Sequence, residues 1–192
     1  MQPLIPYFEP FRIPLFGDVA IHGFGILVAT AFIVGIRAAM NKCERENLDP
    51  DIINRLTTWL VVGVFVGGHL GDVLFYRPAE YLQDPIEILK VWKGMSSFGG
   101  FIGCTLLTIW FFRKEKVPFF PYGDTLCYGA SIAWVFGRLG CFSAHDHPGI
   151  ETDFYLGVYG ICPGYEGSDI TACHDMGLYE AIWAGCTYLL FR

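Results

Sequence analysis

The chain has 192 residues, 53% of them hydrophobic and 17% charged, with a mean hydropathy of +0.41 and a formal net charge of −6. A soluble chain carries about a quarter charged residues, so this composition points to a membrane protein. The negative balance speaks against a nucleic-acid partner. The length is that of a single domain.

The first 19 residues hold Pro3, Pro6, Pro10 and Pro14 and one basic residue, Arg12. That is not the basic start and apolar core of a secretory signal peptide. Five apolar runs follow: Ile21–Met40, Leu56–Tyr76, Phe98–Phe112, Tyr122–Phe142 and Leu178–Phe191. A spanning helix needs about 20 mostly apolar residues. The first, second and fourth runs reach that length, and the third does so with a tilt. The fifth stops with the sequence, and the chain is expected to continue past Arg192. The fold class expected is an all-α integral membrane protein of about five transmembrane helices, forming a single polytopic domain over residues 1–192. Between the second and third runs, Asp84-Pro85 has the form of a helix start. An interfacial helix is expected there, with Tyr76, Tyr81 and Trp92 as anchors.

Orientation follows from the basic residues. Lys42, Arg45 and Arg55 follow the first run, and Arg113, Lys114 and Lys116 follow the third. Arg77, Lys90 and Lys93 compete from the loop after the second. Residues 143–177 contain no Lys or Arg at all. This segment is therefore expected outside the membrane as an irregular loop region or a small exposed subdomain, with the N-terminus on the same side. Cys162 and Cys173 both lie in it, and in an oxidising compartment they can pair. Most of the remaining cysteines fall in apolar stretches, and the absence of any Cys-x-x-Cys speaks against a zinc knuckle.

Ionisable residues within spans are costly, about 2.5–3.5 kcal/mol each on insertion scales, and usually functional. His69 and Asp72, three apart, share a helical face. They line a polar cavity, or they are a structural ion pair or a hydrogen-bonded core histidine. Asp124 reads as a helix-start acid. Arg138 ends the fourth run between Gly137 and Gly140. Its planar fork suits a phosphate, and the glycines admit a headgroup close to the backbone. The competing reading is an arginine paired with Glu180 or Asp72. His145, Asp146 and His147 follow directly, as acid–base groups or plain loop residues. Their loose spacing is no metal frame, so neither a metal nor a soluble cofactor is expected.

Several ordered motifs resemble one family. "VFVGGHLGDVLFYRPAEYLQDPIEILKVWKGMSSFGGFIG" (Val64–Gly103) is similar to the bacterial prolipoprotein diacylglyceryl transferases along its whole length. There the family shows GGR-x-G-Y-x-L-F-Y, then D-P, then V-W-x-G-G-M-S-F-H-G-G-L-x-G. "GRLGCFSAHDHPG" (Gly137–Gly149) falls at the family's G-R-x-G-N-F-x-N-x-E-x-x-G signature. "CHDMGLYEA" (Cys173–Ala181) resembles H-P-S-Q-L-Y-E-A, and "IHGFGIL" resembles the opening H-W/F-Y/F-G segment.

The resemblance implies a multi-pass enzyme of the bacterial cytoplasmic (inner) membrane. Such an enzyme moves the diacylglyceryl group of phosphatidylglycerol onto the lipobox cysteine of a preprolipoprotein signal peptide and releases glycerol phosphate. Its partners are then phosphatidylglycerol, the preprolipoprotein and membrane lipids. It also implies catalytic roles for Arg138, Asp146 and Glu180, and the chemistry adds His145 or His147 as the base for the thiol proton. Gly137, Gly140, Gly149, His69, Ser97, Phe98, Gly99, Gly100, Cys141, His174 and Tyr179 would contact substrate. The chain departs from the pattern in several places. Phe98 stands for the family's histidine, Cys141 and Ala144 for two asparagines, His69 for an arginine and Phe24 for a tyrosine. Two other readings follow: an inert member that binds phospholipid or lipoprotein, and a small membrane transporter.

Overall fold

A computed structural model describes residues 2–16, 19–90, 94–164 and 171–191. Trp92 and Lys93, expected at the interface, and Arg192 lie outside the described residues. The chain divides into two compact units, Met1–Ala39 with Leu126–Arg192, and Met40–Thr125. The division falls within α1 (Gly23–Arg45) and α6 (Phe119–Ala144).

In the second unit, helix α2 (Pro50–Val62) begins at Asp49, whose carboxylate accepts from the Asp51 amide at 2.9 Å, with Pro50 at the first helical position. This is the cap expected of Asp followed by Pro. A π-type turn (Gly63–Gly67), α3 (Gly68–Gly71) and a second π-type turn (Asp72–Tyr76) continue it. Residues Pro50–Tyr76 thus form one 27-residue helical rod. Helix α4 (Pro78–Gln83) and a 3₁₀ turn (Pro85–Leu89) follow. The segment expected as one interfacial helix is therefore two short ones, broken at Asp84, whose side chain caps the second through the Ile86 amide at 3.2 Å.

Helix α5 (Ser97–Glu115) is capped by Ser96, whose hydroxyl accepts from the Gly99 amide at 3.1 Å. It lies against the rod along a seam of glycines. A Cβ placed on Gly63 would sit 2.8 Å from the Cys104 nitrogen, on Gly67 2.8 Å from the Gly103 Cα, and on Gly71 2.6 Å from the Gly99 Cα. Small residues allow such backbone approach where lipid offers no hydrophobic drive to associate. At the other end, Trp59 and Trp110 meet edge to face with centroids 4.6 Å apart, and Arg55 pairs with Glu115 at 2.7 Å.

In the first unit, α1 and α6 approach through a similar device. A Cβ on Gly35 would lie 2.8 Å from that of Ala133, and one on Gly129 would lie 2.9 Å from that of Ala39. Helix α7 (Met176–Leu190) packs beside α6, with Tyr128 and Tyr188 hydroxyls 3.1 Å apart.

The first unit also corrects the all-α expectation, because five short strands occur among the described residues. β1 (Arg12–Phe16) and β2 (Val19–His22) form an antiparallel hairpin that leads into α1. Pro14 is tolerated there because a two-stranded ribbon consists of edges. β3 (Pro148–Glu151), β4 (Val158–Tyr159) and β5 (Ala172–Asp175) form a sheet in the order β3-β5-β4. Of the irregular loop and the small exposed subdomain open for this region, the second fits: it is a small sheet with its own core. Val158, Ile161, Cys162 and Cys173 are buried there against Ile5 and Phe142. Cys162 and Cys173 form a disulfide across it. These strands are too short to show a period-2 pattern, and their stability rests on the disulfide and on the extended N-terminal segment. Leu4 donates to the Tyr155 carbonyl, and Tyr159 donates to that of Ile5, both at 3.0 Å.

Among the described residues, two helical stretches, Gly23–Arg45 and Pro50–Tyr76, are long and apolar enough to cross a membrane. Many large apolar side chains point outward on the helices, among them Ile33, Phe65, Phe75, Phe101, Leu106, Trp183 and Leu190. Apolar surface on this scale is uncommon on a soluble monomer.

Candidate functional site

The site is built on the last turns of α6 and the first of α7. Gly177 brings the helices together, since a Cβ there would lie 2.7 Å from the Phe142 nitrogen and 3.0 Å from the Arg138 carbonyl oxygen. Asp175 starts α7 by accepting from the Leu178 amide at 2.9 Å. This placement sets Glu180 opposite Arg138, with Oε1 2.5 Å from Nη2. The Arg138 side chain is 14% exposed and that of Glu180 40%. Nη1 donates to the Cys141 sulfur at 3.5 Å, the guanidinium lies 5.8 Å from the Trp134 ring centroid, and the buried Nε has no partner. The pairing with Glu180 was one of the two readings open in the sequence. A Cβ on Gly137 would meet nothing within 4 Å, whereas one on Gly140 would lie 3.1 Å from the Phe24 ring.

Beyond α6 the chain turns at His145, whose φ is +53°. The two histidines are thereby separated. His145 is enclosed: its Nε2 lies 3.0 Å from the Phe8 carbonyl oxygen and its ring centroid 4.3 Å from that of Phe8. Its Nδ1 is 3.8 Å from the fully buried Asp175 Oδ2, and neither atom has a hydrogen-bond partner. His147 is exposed, with Nδ1 2.5 Å from Asp146 Oδ1. The ligating atoms of Cys141, Asp146 and His147 all lie within 4.8 Å of one another. Asp146 also lines a cavity of about 520 Å³ with Phe11, His22, Phe24 and Ser143.

Gly149 lies against His174, where a Cβ would sit 3.1 Å from that of the histidine. His174 Nδ1 is 2.6 Å from the Tyr179 hydroxyl, and both line a second cavity of about 460 Å³ with Phe154, Leu156, Ile182 and Trp183. Arg138 lines neither cavity.

The remaining candidates lie in the other unit. His69 is buried, with Nε2 2.7 Å from the Ile88 carbonyl oxygen. Asp72 is held by Arg77 and by the Tyr81 hydroxyl at 3.1 Å. The hydrogen bond to Asp72 raises the pKa of the Arg77 guanidinium, and burial pushes the Tyr81 hydroxyl up. Of the two readings of His69 and Asp72, the structural one fits: each is satisfied locally. Gly99 is locked in the glycine seam, Gly100 is buried beside it, Ser97 is exposed and Phe98 is 62% exposed.

The sequence reading missed Asp175 and Arg77 as partners. Asp175 was findable as a capping acid just before an apolar run. Arg77 was findable as the first cation after a run that carries an acid.

The sequence model of one family, "Prolipoprotein diacylglyceryl transferase", matches residues 10–192. Relatives named phosphatidylglycerol–prolipoprotein diacylglyceryl transferase include a Cereibacter sphaeroides protein that is 36% identical over 188 residues, covering 90% of this chain and 92% of the relative. A second from the same species is also 36% identical, covering 90% of this chain and 64% of the relative. One from Tolumonas auensis is 35% identical over 176 residues, covering 90% of this chain and 66% of the relative. The chain therefore spans about two thirds of the length of the latter two.

Proposed function

The chain belongs to the prolipoprotein diacylglyceryl transferase family, and from that premise we propose that it moves the diacylglyceryl group of phosphatidylglycerol onto the cysteine thiol of a prolipoprotein. Glycerol phosphate leaves. The observation that carries this reading is the Arg138 fork at the rim of α6, with an unpartnered Nε and open space beside Gly137.

In this reading the five apolar runs all span the bacterial inner membrane, and residues 143–177 lie outside with the N-terminus. The disulfide in that segment supports the orientation, because such bonds persist in oxidising compartments. Arg138 and Glu180 form the resting pair. The lipid phosphate takes the place of the Glu180 carboxylate, which is exposed enough to swing aside, while the Trp134 ring stays beside the guanidinium. The guanidinium then neutralises the charge that develops on the leaving phosphate oxygen.

The attacking thiol has to lose its proton, since the thiolate is the nucleophile. Asp146, which lines the first cavity, and the adjacent His147 are both exposed and are the side chains placed to favour the thiolate. His145 orders the N-terminal segment from inside. His174 and Tyr179 form one wall of the second cavity, which is apolar and suits an acyl chain.

Arg138→Ala is expected to lower diacylglyceryl transfer to a lipobox peptide by about 10²–10³-fold, with expression and folding kept. Arg138→Lys is expected to recover only part, since a point charge lacks the fork. Undiminished transfer in Arg138→Ala rejects the assignment. The substitutions at Phe98, Cys141 and Ala144 favour one competing reading, a non-catalytic phospholipid binder. Complementation of a transferase-depleted strain decides between them.

A further inference from the structure

We propose that Cys141, Asp146 and His147 together hold a thiophilic divalent metal ion, zinc by its chemistry, and that the ion's open coordination position takes the substrate thiol. This deepens the proposed function and rests on it for the identity of the thiol.

The three residues offer sulfur, oxygen and imidazole nitrogen, the donor set that zinc prefers. Their ligating atoms lie within 4.8 Å of one another. Bonds of about 2.0–2.3 Å to one tetrahedral ion place donors roughly 3.3–3.8 Å apart. Closure thus requires the longest separation to shorten by up to about 1.5 Å, and the 2.5 Å contact between His147 Nδ1 and Asp146 Oδ1 to open to roughly 3.3 Å. Cys141 is fixed in α6, while the side chains of Asp146 and His147, 42% and 46% exposed, are free to make the shift. The backbone is already placed for it. The left-handed turn at His145 brings the chain back over the helix end, and the Met176 amide holds the His147 carbonyl at 3.1 Å.

The charges balance. A thiolate and a carboxylate neutralise a divalent cation, so the site adds no net charge beside the Arg138–Glu180 pair. The Arg138 N–H directed at the Cys141 sulfur is the kind of outer contact that orients and tunes a metal-bound thiolate.

Three protein ligands, rather than four, mark a site that keeps a position for substrate. Asp146 lines the cavity of about 520 Å³, which gives an approach to that position. A thiol that binds there is deprotonated outright. Its proton passes to solvent, and the sulfur electron pair forms the S–C bond at the glyceryl carbon. The C–O bond to phosphate breaks with its electron pair on oxygen, and glycerol phosphate leaves. No oxidant or reductant enters.

The test uses the full chain in detergent, stripped with a chelator and loaded with Co²⁺ as a spectroscopic probe. The expected result is a thiolate-to-cobalt charge-transfer band that is absent in Cys141→Ser and weakened in His147→Ala. His147 is on the surface, so the second variant tests the site even where the first fails to fold. Adding a lipobox peptide is expected to intensify the band by a second thiolate, while the same peptide with serine for cysteine leaves it unchanged. Chelation is expected to lower transfer at least about tenfold, and Zn²⁺ to restore it. No band, or a band indifferent to both substitutions, overturns the site. A band that ignores the peptide, or transfer that ignores the chelator, overturns the thiol-binding role and leaves the transferase reading standing. A peptide-responsive band in a protein that never transfers lipid keeps the metal site and overturns the transferase reading.

Discussion

Gly99 and Gly100 are adjacent on α5 and both were candidates for substrate contact, yet the structure assigns them opposite tolerances. A Cβ on Gly99 would lie 2.7 Å from the Gly71 Cα and 3.1 Å from its nitrogen, with the Gly67 carbonyl oxygen nearer still. All three are backbone atoms and cannot rotate away. Carbon atoms rest about 3.5–4.0 Å apart, so Gly99→Ala forces α5 off the rod by about 1 Å. A gap of that size forfeits a quarter to a half of each contact along the seam. The expected cost is about 1–3 kcal/mol, reduced by the roughly 0.5–1 kcal/mol that alanine gains over glycine in a helix. At Gly100 the nearest atom is the Val64 carbonyl oxygen at 3.5 Å, an ordinary contact. Gly100→Ala therefore keeps the helix gain and is expected to be neutral or stabilising. Thermal unfolding of both variants in one detergent reads the difference. Equal midpoints, or a less stable Gly100→Ala, refute the account of the seam.

Two further perturbations have clear outcomes. Replacing Cys162 and Cys173 with serine opens a loop of sequence separation 11 and is expected to remove about 2.8 kcal/mol of chain-entropy stabilisation; limited proteolysis should then cut within 143–177 well before any helix. Arg77→Ala leaves the Asp72 carboxylate, 11% exposed, with the Tyr81 hydroxyl still donating to it, at an expected cost of about 1–3 kcal/mol. Adding Asp72→Asn should recover part of that loss, and a strictly additive double variant refutes the pairing.

Sequence reading located the helices well because long apolar runs leave little choice. The run Phe98–Phe112 became α5 at Ser97–Glu115, and Tyr122–Phe142 became α6 at Phe119–Ala144. It missed the sheet of residues 148–175, whose two- and four-residue strands carry no readable period and are held by Cys162–Cys173 and by Ile5 from far along the chain. Arg138 was legible as a cation at the end of an apolar helix. Its Glu180 partner was one of two acids named, and only the close packing permitted by Gly177 decides for it. His145 and His147 look alike in sequence. The positive φ at His145 turns one ring inward onto Phe8 and leaves the other outside, and no local pattern announces that turn. The glycines at 99 and 100 look equally permissive until the facing rod shows which one it presses against.

The bond between Cys162 and Cys173 carries a consequence for a protein that would meet reactive sulfhydryls on every turnover. Exchange requires an incoming sulfur to reach one of the two bridged atoms from behind. Both residues are almost wholly shielded, at 2% and 1% exposure, so an incoming thiol finds no trajectory to them. Concealment of the brace thus keeps an oxidised cross-link out of reach of free thiols although it lies in a small sheet with short, exposed neighbours.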